Sequence, residues 1–285
     1  MPALRFTLII LLALHLGACA NLVSRATNQF ADDLEAAVRA YDDPATVASA
    51  LPAYILLMEA RLQSRPEDAA LRLATARLTA TQATLFADDP DSELRLTARA
   101  LAHARIGACQ SHRRLCELDS VRFDQFEQAL ESLPTGALEP AYVLATTWTG
   151  WIAARRGSFE ALADLPRVEA MLDWVAERDP DHDDGAVWLY LAVLNSQRPP
   201  GAGGRPELAR AHFDRARQAA NGDNLLIDVM QADSYARLVF DRDLYVSLLE
   251  GVLAARPVGD RYRLANQVAR ARAATLLART AAIFD

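Results

Sequence analysis

Two clusters of residues in this 285-residue chain have types and spacings that could carry chemistry. Cys109-x2-His112-x3-Cys116 brings two thiols and an imidazole close together in sequence, three of the four donors that a structural zinc site needs. The same thiols could instead pair or stay free, and an oxidising compartment favours the pair. On one continuous helix, residues i and i+7 lie about 10.5 Å apart, beyond the reach of a disulfide, so a Cys109–Cys116 bond requires the helix to end between them. The expectation is a turn over Gln110 to Arg114 and no metal. The acidic run RDPDHDDGAV offers Asp179, Asp181 and Asp183 at the alternate spacing of a calcium loop. Gly185 comes one residue late, however, and Tyr190 stands where the bidentate Glu belongs, so a solvated turn with helix-capping acids is the better reading.

Catalytic patterns are missing. No G-x-S-x-G, H-E-x-x-H or Gly-rich phosphate loop occurs, and His103, His112, His182 and His212 have no nucleophile beside them. All 30 basic residues are Arg, which removes Schiff-base chemistry and the P-loop lysine. The sequence therefore assigns no catalytic residue and no cofactor, and a net charge of −7 speaks against nucleic acid as a partner.

A third cysteine has a different setting. Cys19 follows one basic residue, Arg5, an apolar run from Phe6 to Leu16, and the small residues Gly17 and Ala18. That is the design of a secretory signal peptide, too short to span a bilayer as a helix. Leu16-Gly17-Ala18-Cys19 resembles the lipobox of bacterial lipoproteins, which implies removal of residues 1–18, a diacylated thiol at Cys19 and a mature domain over 19–285. Acyl chains contribute about 0.8 kcal/mol per buried methylene, and two or more hold a protein stably on a membrane. Ala20 and Asn21 place no Asp at the second mature position, which by the same resemblance implies the periplasmic face of the outer membrane.

The elements that must position these residues are helices. Ala, Leu and Arg dominate, no stretch alternates Val, Ile and Thr, and the fold class is all-α. Asp-Asp followed by Pro44 or Pro90, and Pro206 after a Gly-rich joint, mark helix starts. Three segments share one pattern of offsets four and three ahead of a helix stop: Val168, Leu172, Val175 with Pro180; Ala209, Phe213, Ala216 with Asn221; and Tyr245, Leu249, Val252 with Pro257. Tyr54, Met58, Arg61 and Pro66 fit it less well, Arg61 being charged. The stops lie 41 and 36 residues apart, and Trp188-x2-Leu191-Ala192 is the front half of a tetratricopeptide signature. Tetratricopeptide-like helical hairpins stacked in a compact superhelix follow.

At this level of detail the blocks FADDLEAAVRAYDDPATVASALPAYILLMEARL, TWTGWIAARRGSFEALADLPRVEAMLDW, GGRPELARAHFDRARQAANGDNLL and YARLVFDRDLYVSLLEGVLAARP resemble, in order, the T component of tripartite ATP-independent periplasmic (TRAP) transporters, the TatT family. The resemblance implies a periplasmic lipoprotein of helical repeats that associates with the transporter's solute-binding protein, forms homo-oligomers, with a trimer suggested, and offers a channel to hydrophobic small molecules. The two cysteines between Gly107 and Phe123 depart from it.

Large aromatics concentrate on the first helices of the middle hairpins, the side that faces inward in a repeat superhelix: Tyr142, Trp148, Trp151, Trp188 and Tyr190. Singly each reads as core, whereas together they could border an apolar cavity or channel. The leading function is thus an accessory lipoprotein that docks a solute-binding protein and holds or passes on a hydrophobic ligand. A scaffold in outer-membrane assembly with a solid core is the alternative, and a hydrolase with a site hidden from sequence is a third.

Overall fold

The computed structural model describes residues 33–34, 36–116, 118, 120–199, 201 and 204–285; Cys19 and the apolar leader lie outside the described residues. Those described form helices and turns with no strand among them. The helices are α1 (Pro44–Ser64), α2 (Ala69–Phe86), α3 (Pro90–Ser111), α4 (Phe123–Glu131), α5 (Leu138–Ala153), α6 (Phe159–Ala163) and α7 (Leu165–Arg178). They continue as α8 (His182–Asn195), α9 (Pro206–Ala219), α10 (Leu226–Met230) running into a π turn (Gln231–Ala236), α11 (Arg242–Ala254), α12 (Arg263–Ala278) and α13 (Thr280–Phe284).

Helix starts follow the sequence signals. Asp43, Asp68, Asp89 and Asp241 accept from the backbone N–H groups of Ala45, Leu71, Ser92 and Leu244 at 2.8–3.1 Å, satisfying donors that the first helical turn leaves open. Pro44, Pro90 and Pro206 each take the first helical position, where a missing N–H costs nothing. Asn221, in place of the proline stop, closes α9 differently. It and Gly222 adopt positive φ (51° and 75°), and Gly222 N–H returns to Arg217 O, a left-handed terminator.

Packing makes two rows. Inner helices α2, α5, α8 and α10 with its π turn each pair with the outer helix that follows, α3, α7, α9 and α11 respectively, and each inner helix also touches the next inner one. The repeated triplets are what these pairings bury: Val168, Leu172, Val175, Ala209, Phe213, Tyr245, Leu249 and Val252 are 0% exposed and Ala216 is 2%. The α2–α3 pair is held closely at Gly107, where an added Cβ would come within 2.9 Å of Leu73 Cγ. The last inner helix, α12, packs on α11 and α10 and also reaches α1, so the row of inner helices curls until its end meets its beginning.

One register differs from expectation. On α1 the buried stripe is Leu51, Ile55, Met58 and Leu62, one position out of phase with Tyr54 and Arg61, which are exposed. Aliphatic side chains fill the seam against α2 and leave the amphipathic phenol outside. The outer face of α1 carries Leu56 and Leu57, 61% and 60% exposed, and by length and composition this helix would suit a membrane.

Cys109 and Cys116 are joined by a disulfide, with Cα atoms 4.4 Å apart. The break that allows it is narrower than a turn over Gln110 to Arg114: α3 runs to Ser111, only His112 is extended, and Arg113–Leu115 forms a 3-10 turn. Such a short loop constrains the unfolded chain by about 2 kcal/mol. The double variant Cys109→Ser/Cys116→Ser is expected to unfold at correspondingly lower denaturant, and the wild type to titrate no free thiol at these positions before reduction.

Candidate functional site

The curled row of inner helices encloses a passage. At one end a cavity of about 230 Å³ is bordered by Leu78 and Thr81 of α2, Tyr142 and Thr146 of α5, Leu189 and Tyr190 of α8, Leu226 of α10 and Leu264 of α12. It adjoins a chamber of about 300 Å³, with which it shares Thr84, Leu189, Tyr190 and Leu226. That chamber shares Met230, Asp233 and Arg272 with a third cavity, about 460 Å³, under Pro44, Phe86 and Val268. The three are contiguous through these shared residues.

The first mouth is ringed by ion pairs. Tyr142 Oη donates to Asp183 Oδ2 at 2.8 Å and Arg39 Nη2 to Asp183 Oδ1 at 2.9 Å. Burial pushes the Asp183 carboxyl up, but Arg39, Tyr142 and Arg77 outweigh it and hold the group below the usual carboxylate range. Burial and the neighbouring Asp183 charge raise the Tyr142 phenol well above its ordinary value, so it stays a neutral donor. Arg261 pairs with Asp184, and Arg77 Nη1 with Glu139 Oε1 at 2.5 Å.

These carboxylates owe their position to an unusual backbone. Asp183, Asp184 and Gly185 are successively left-handed, with φ of 48°, 61° and 71°. For the two non-glycine residues this costs roughly 1–2 kcal/mol each, and Asp is among the residue types that tolerate it. Gly185 has no alternative, since an added Cβ would lie 2.4 Å from Ala219 Cβ on α9. The acidic run is thus a strained turn whose carboxylates face basic side chains: Asp183 serves Arg39, Asp184 serves Arg261, and Asp179 serves His182.

His182 sits beneath Tyr142, ring centroids 4.7 Å apart at 82°. Its Nε2 is 2.9 Å from Glu139 Oε2 and its Nδ1 3.3 Å from Asp179 Oδ2. The Glu139 hydrogen bond raises its pKa above the ordinary value despite the opposing effect of burial. A pKa raised on folding stabilises fully below the unfolded value of 6.5 and ceases to do so as pH climbs through the folded one. The stability advantage of wild type over His182→Gln is therefore expected to be present at pH 6 and to shrink toward pH 9, and NMR titration of the ring should give a midpoint above 6.5.

The cavities are lined by hydrocarbon and threonine side chains together with charged residues, at the Tyr142 mouth and, as Glu93, Arg156, Asp233 and Arg272, around the second chamber. The family model described as TRAP transporter T-component matches residues 40–284. The chain belongs to this family. The match spans the helices that build the passage, and it makes the protein an accessory component of a TRAP transport system, a family of transport proteins and not of enzymes. None of the curated proteins compared with the chain matches it.

Within this T component the five aromatics have separate fates. Tyr142 and Tyr190 stand on the passage wall, ring centroids 6.2 Å apart and edge to face. Trp148, 1% exposed, is wedged in the core on the far side of α5, its Nε1 donating to Asp164 Oδ2 at 3.1 Å, and its edge reaches a separate groove beside the disulfide. Trp151 lies under the Arg155 guanidinium, 4.6 Å from the ring centroid. Trp188 packs outward against α9 between His212 and Arg215, its Nε1 donating to Pro180 O. On one helix Trp188 and Tyr190 are two positions, about 200° of helical rotation, apart, which is why both cannot face inward. Arg39, Arg77, Arg261, Thr84 and Arg272 border the passage without any motif to announce them; the Asp-Asp-Gly turn was the one local signal available.

Proposed function

We propose that this protein is the lipid-anchored T component that docks a periplasmic solute-binding protein and takes up or hands over a hydrophobic small molecule through its passage. The single observation that carries the ligand part is the contiguous set of cavities beside the inner helices, lined by apolar and charged side chains and ringed by arginine–carboxylate pairs at the Tyr142 mouth. A scaffold without a ligand would be better served by inner helices packed solidly on one another. Anchoring at Cys19 on the periplasmic face of the outer membrane would attach the helical domain to the membrane through its N-terminal segment. The acidic net charge favours a polar, salt-sensitive contact with the partner, and association into homo-oligomers belongs to the same reading.

Two measurements test it. The full-length protein should co-purify with its cognate solute-binding protein at low salt and lose it at high salt; failure at every ionic strength would leave the scaffold reading ahead. Cys19→Ser should release the protein from the membrane fraction, and a mature protein with an unmodified Cys19 would remove the anchor.

A further inference from the structure

Two arginines, Arg156 and Arg272, border the second chamber, and Arg272 is the more buried of them. Arg272, on α12, borders both the chamber of about 300 Å³ and the cavity of about 460 Å³. Its Nη2 donates to the carbonyl oxygen of Thr84, in the last turn of α2. There the helix has carbonyls without intrahelical partners and the negative end of its dipole, so the guanidinium acts as a cap brought from the opposite end of the chain. A backbone carbonyl is nevertheless no counter-ion. Among the described residues no carboxylate lies within 4.0 Å of Arg272. Asp233, paired with Arg237, and to a lesser degree Glu93 act on Arg272 only from a distance. Burial accordingly lowers the affinity of Arg272 for its proton, the mark of a charge that water no longer compensates.

The guanidinium carries five N–H donors in a planar fork that matches a carboxylate, and the contact with Thr84 uses one of them. Beside Asp233, Glu93 and Arg156, the wall on either side carries hydrocarbon: Leu226, Met230, Val268 and, further in, Leu189 and the Tyr190 ring. We propose that Arg272 binds the carboxylate of an amphipathic monocarboxylic acid whose hydrocarbon chain extends along Leu226, Leu189 and Tyr190 toward the Tyr142 mouth. This rests on the reading of the passage as a ligand site and names the class of ligand. Charge and shape decide together. A neutral alcohol of equal length fills the same apolar wall but leaves the guanidinium uncompensated, whereas a carboxylate gains a charge-assisted, bidentate pair in a poorly hydrated place.

The test is displacement of a neutral fluorescent alkyl probe from the full-length, delipidated protein at pH 7 by palmitate or by 1-hexadecanol. In the wild type palmitate should displace at roughly tenfold or more lower concentration than the alcohol. Arg272→Gln should erase that preference and leave displacement by hexadecanol unchanged. Glu93→Gln, which removes a negative charge near Arg272 without touching its cap on α2, should sharpen the preference, and it keeps the question answerable if Arg272→Gln fails to fold. Equal displacement by acid and alcohol in the wild type, a preference that survives in Arg272→Gln, or a Glu93→Gln variant with an unaltered preference would overturn the assignment. If neither compound displaces the probe and the probe itself does not bind saturably, the ligand-holding reading of the passage falls, and the inference with it.

Discussion

Trp148→Ala is expected to destabilise the protein by about 3–5 kcal/mol. The ring is 1% exposed in the central core, between α5 and the helices on either side of it, and the Arg105 guanidinium lies 5.4 Å from its centroid. Truncation would remove the ring's contacts, leave a cavity that the Ala-rich surroundings fill poorly, and strip the Asp164 carboxylate of its indole donor. Domains of this size are stable by only about 5–15 kcal/mol, so the loss is a large share of the total. Urea unfolding followed by circular dichroism measures it. Because Trp148 stands off the passage, the fraction that remains folded should bind a fatty-acid probe as the wild type does. A variant of near-native stability with weakened binding would reverse the roles assigned to this ring and to Tyr190.

Thr84→Trp should do the opposite. Thr84 borders the junction between the first cavity and the second chamber, and its side chain is exposed to that space and not packed in the core. An indole there would occupy space that the two cavities share while leaving the backbone carbonyl that Arg272 uses in place. Saturable binding of a fluorescent fatty acid should fall by roughly a hundredfold or more, with the unfolding midpoint close to that of the wild type. Undiminished binding in a folded Thr84→Trp protein would mean that the ligand enters elsewhere, and the groove beside the disulfide would then become the place to look.

The contrast between these two variants mirrors what could be read from the letters. Val168-Leu172-Val175 and its two counterparts were legible because helix pairing demands an apolar residue every three or four positions, and each repeat faces the same demand. Tyr54 was misleading because an aromatic fits either face of a helix, so spacing alone did not separate it from Leu51 and Ile55. Tyr142 and Tyr190 were visible as large rings on inner helices, but so were Trp148, Trp151 and Trp188, and only the turn of each helix sorts wall from core. Arg272 and Thr84 were beyond reach: 188 positions separate them, and nothing local to either records that the array closes. Asp183 and Asp184 were recognised as a turn, while their left-handed geometry and the close approach of Gly185 to Ala219 on another helix left no mark in the local letters.

Closure of the inner row changes the thermodynamics of the array. In an open stack of repeats, stability is close to a sum of unit terms and nearest-neighbour terms, and the two end units, each with one neighbour, fray first. Here α12 lies against α1 and Arg272 holds the last turn of α2, so the first and last units each acquire a second neighbour. The chain behaves as a ring of units in place of a row, and loosening at one terminus is transmitted directly to the other. Amide hydrogens of α1 and α12, far apart in sequence, should for that reason exchange together.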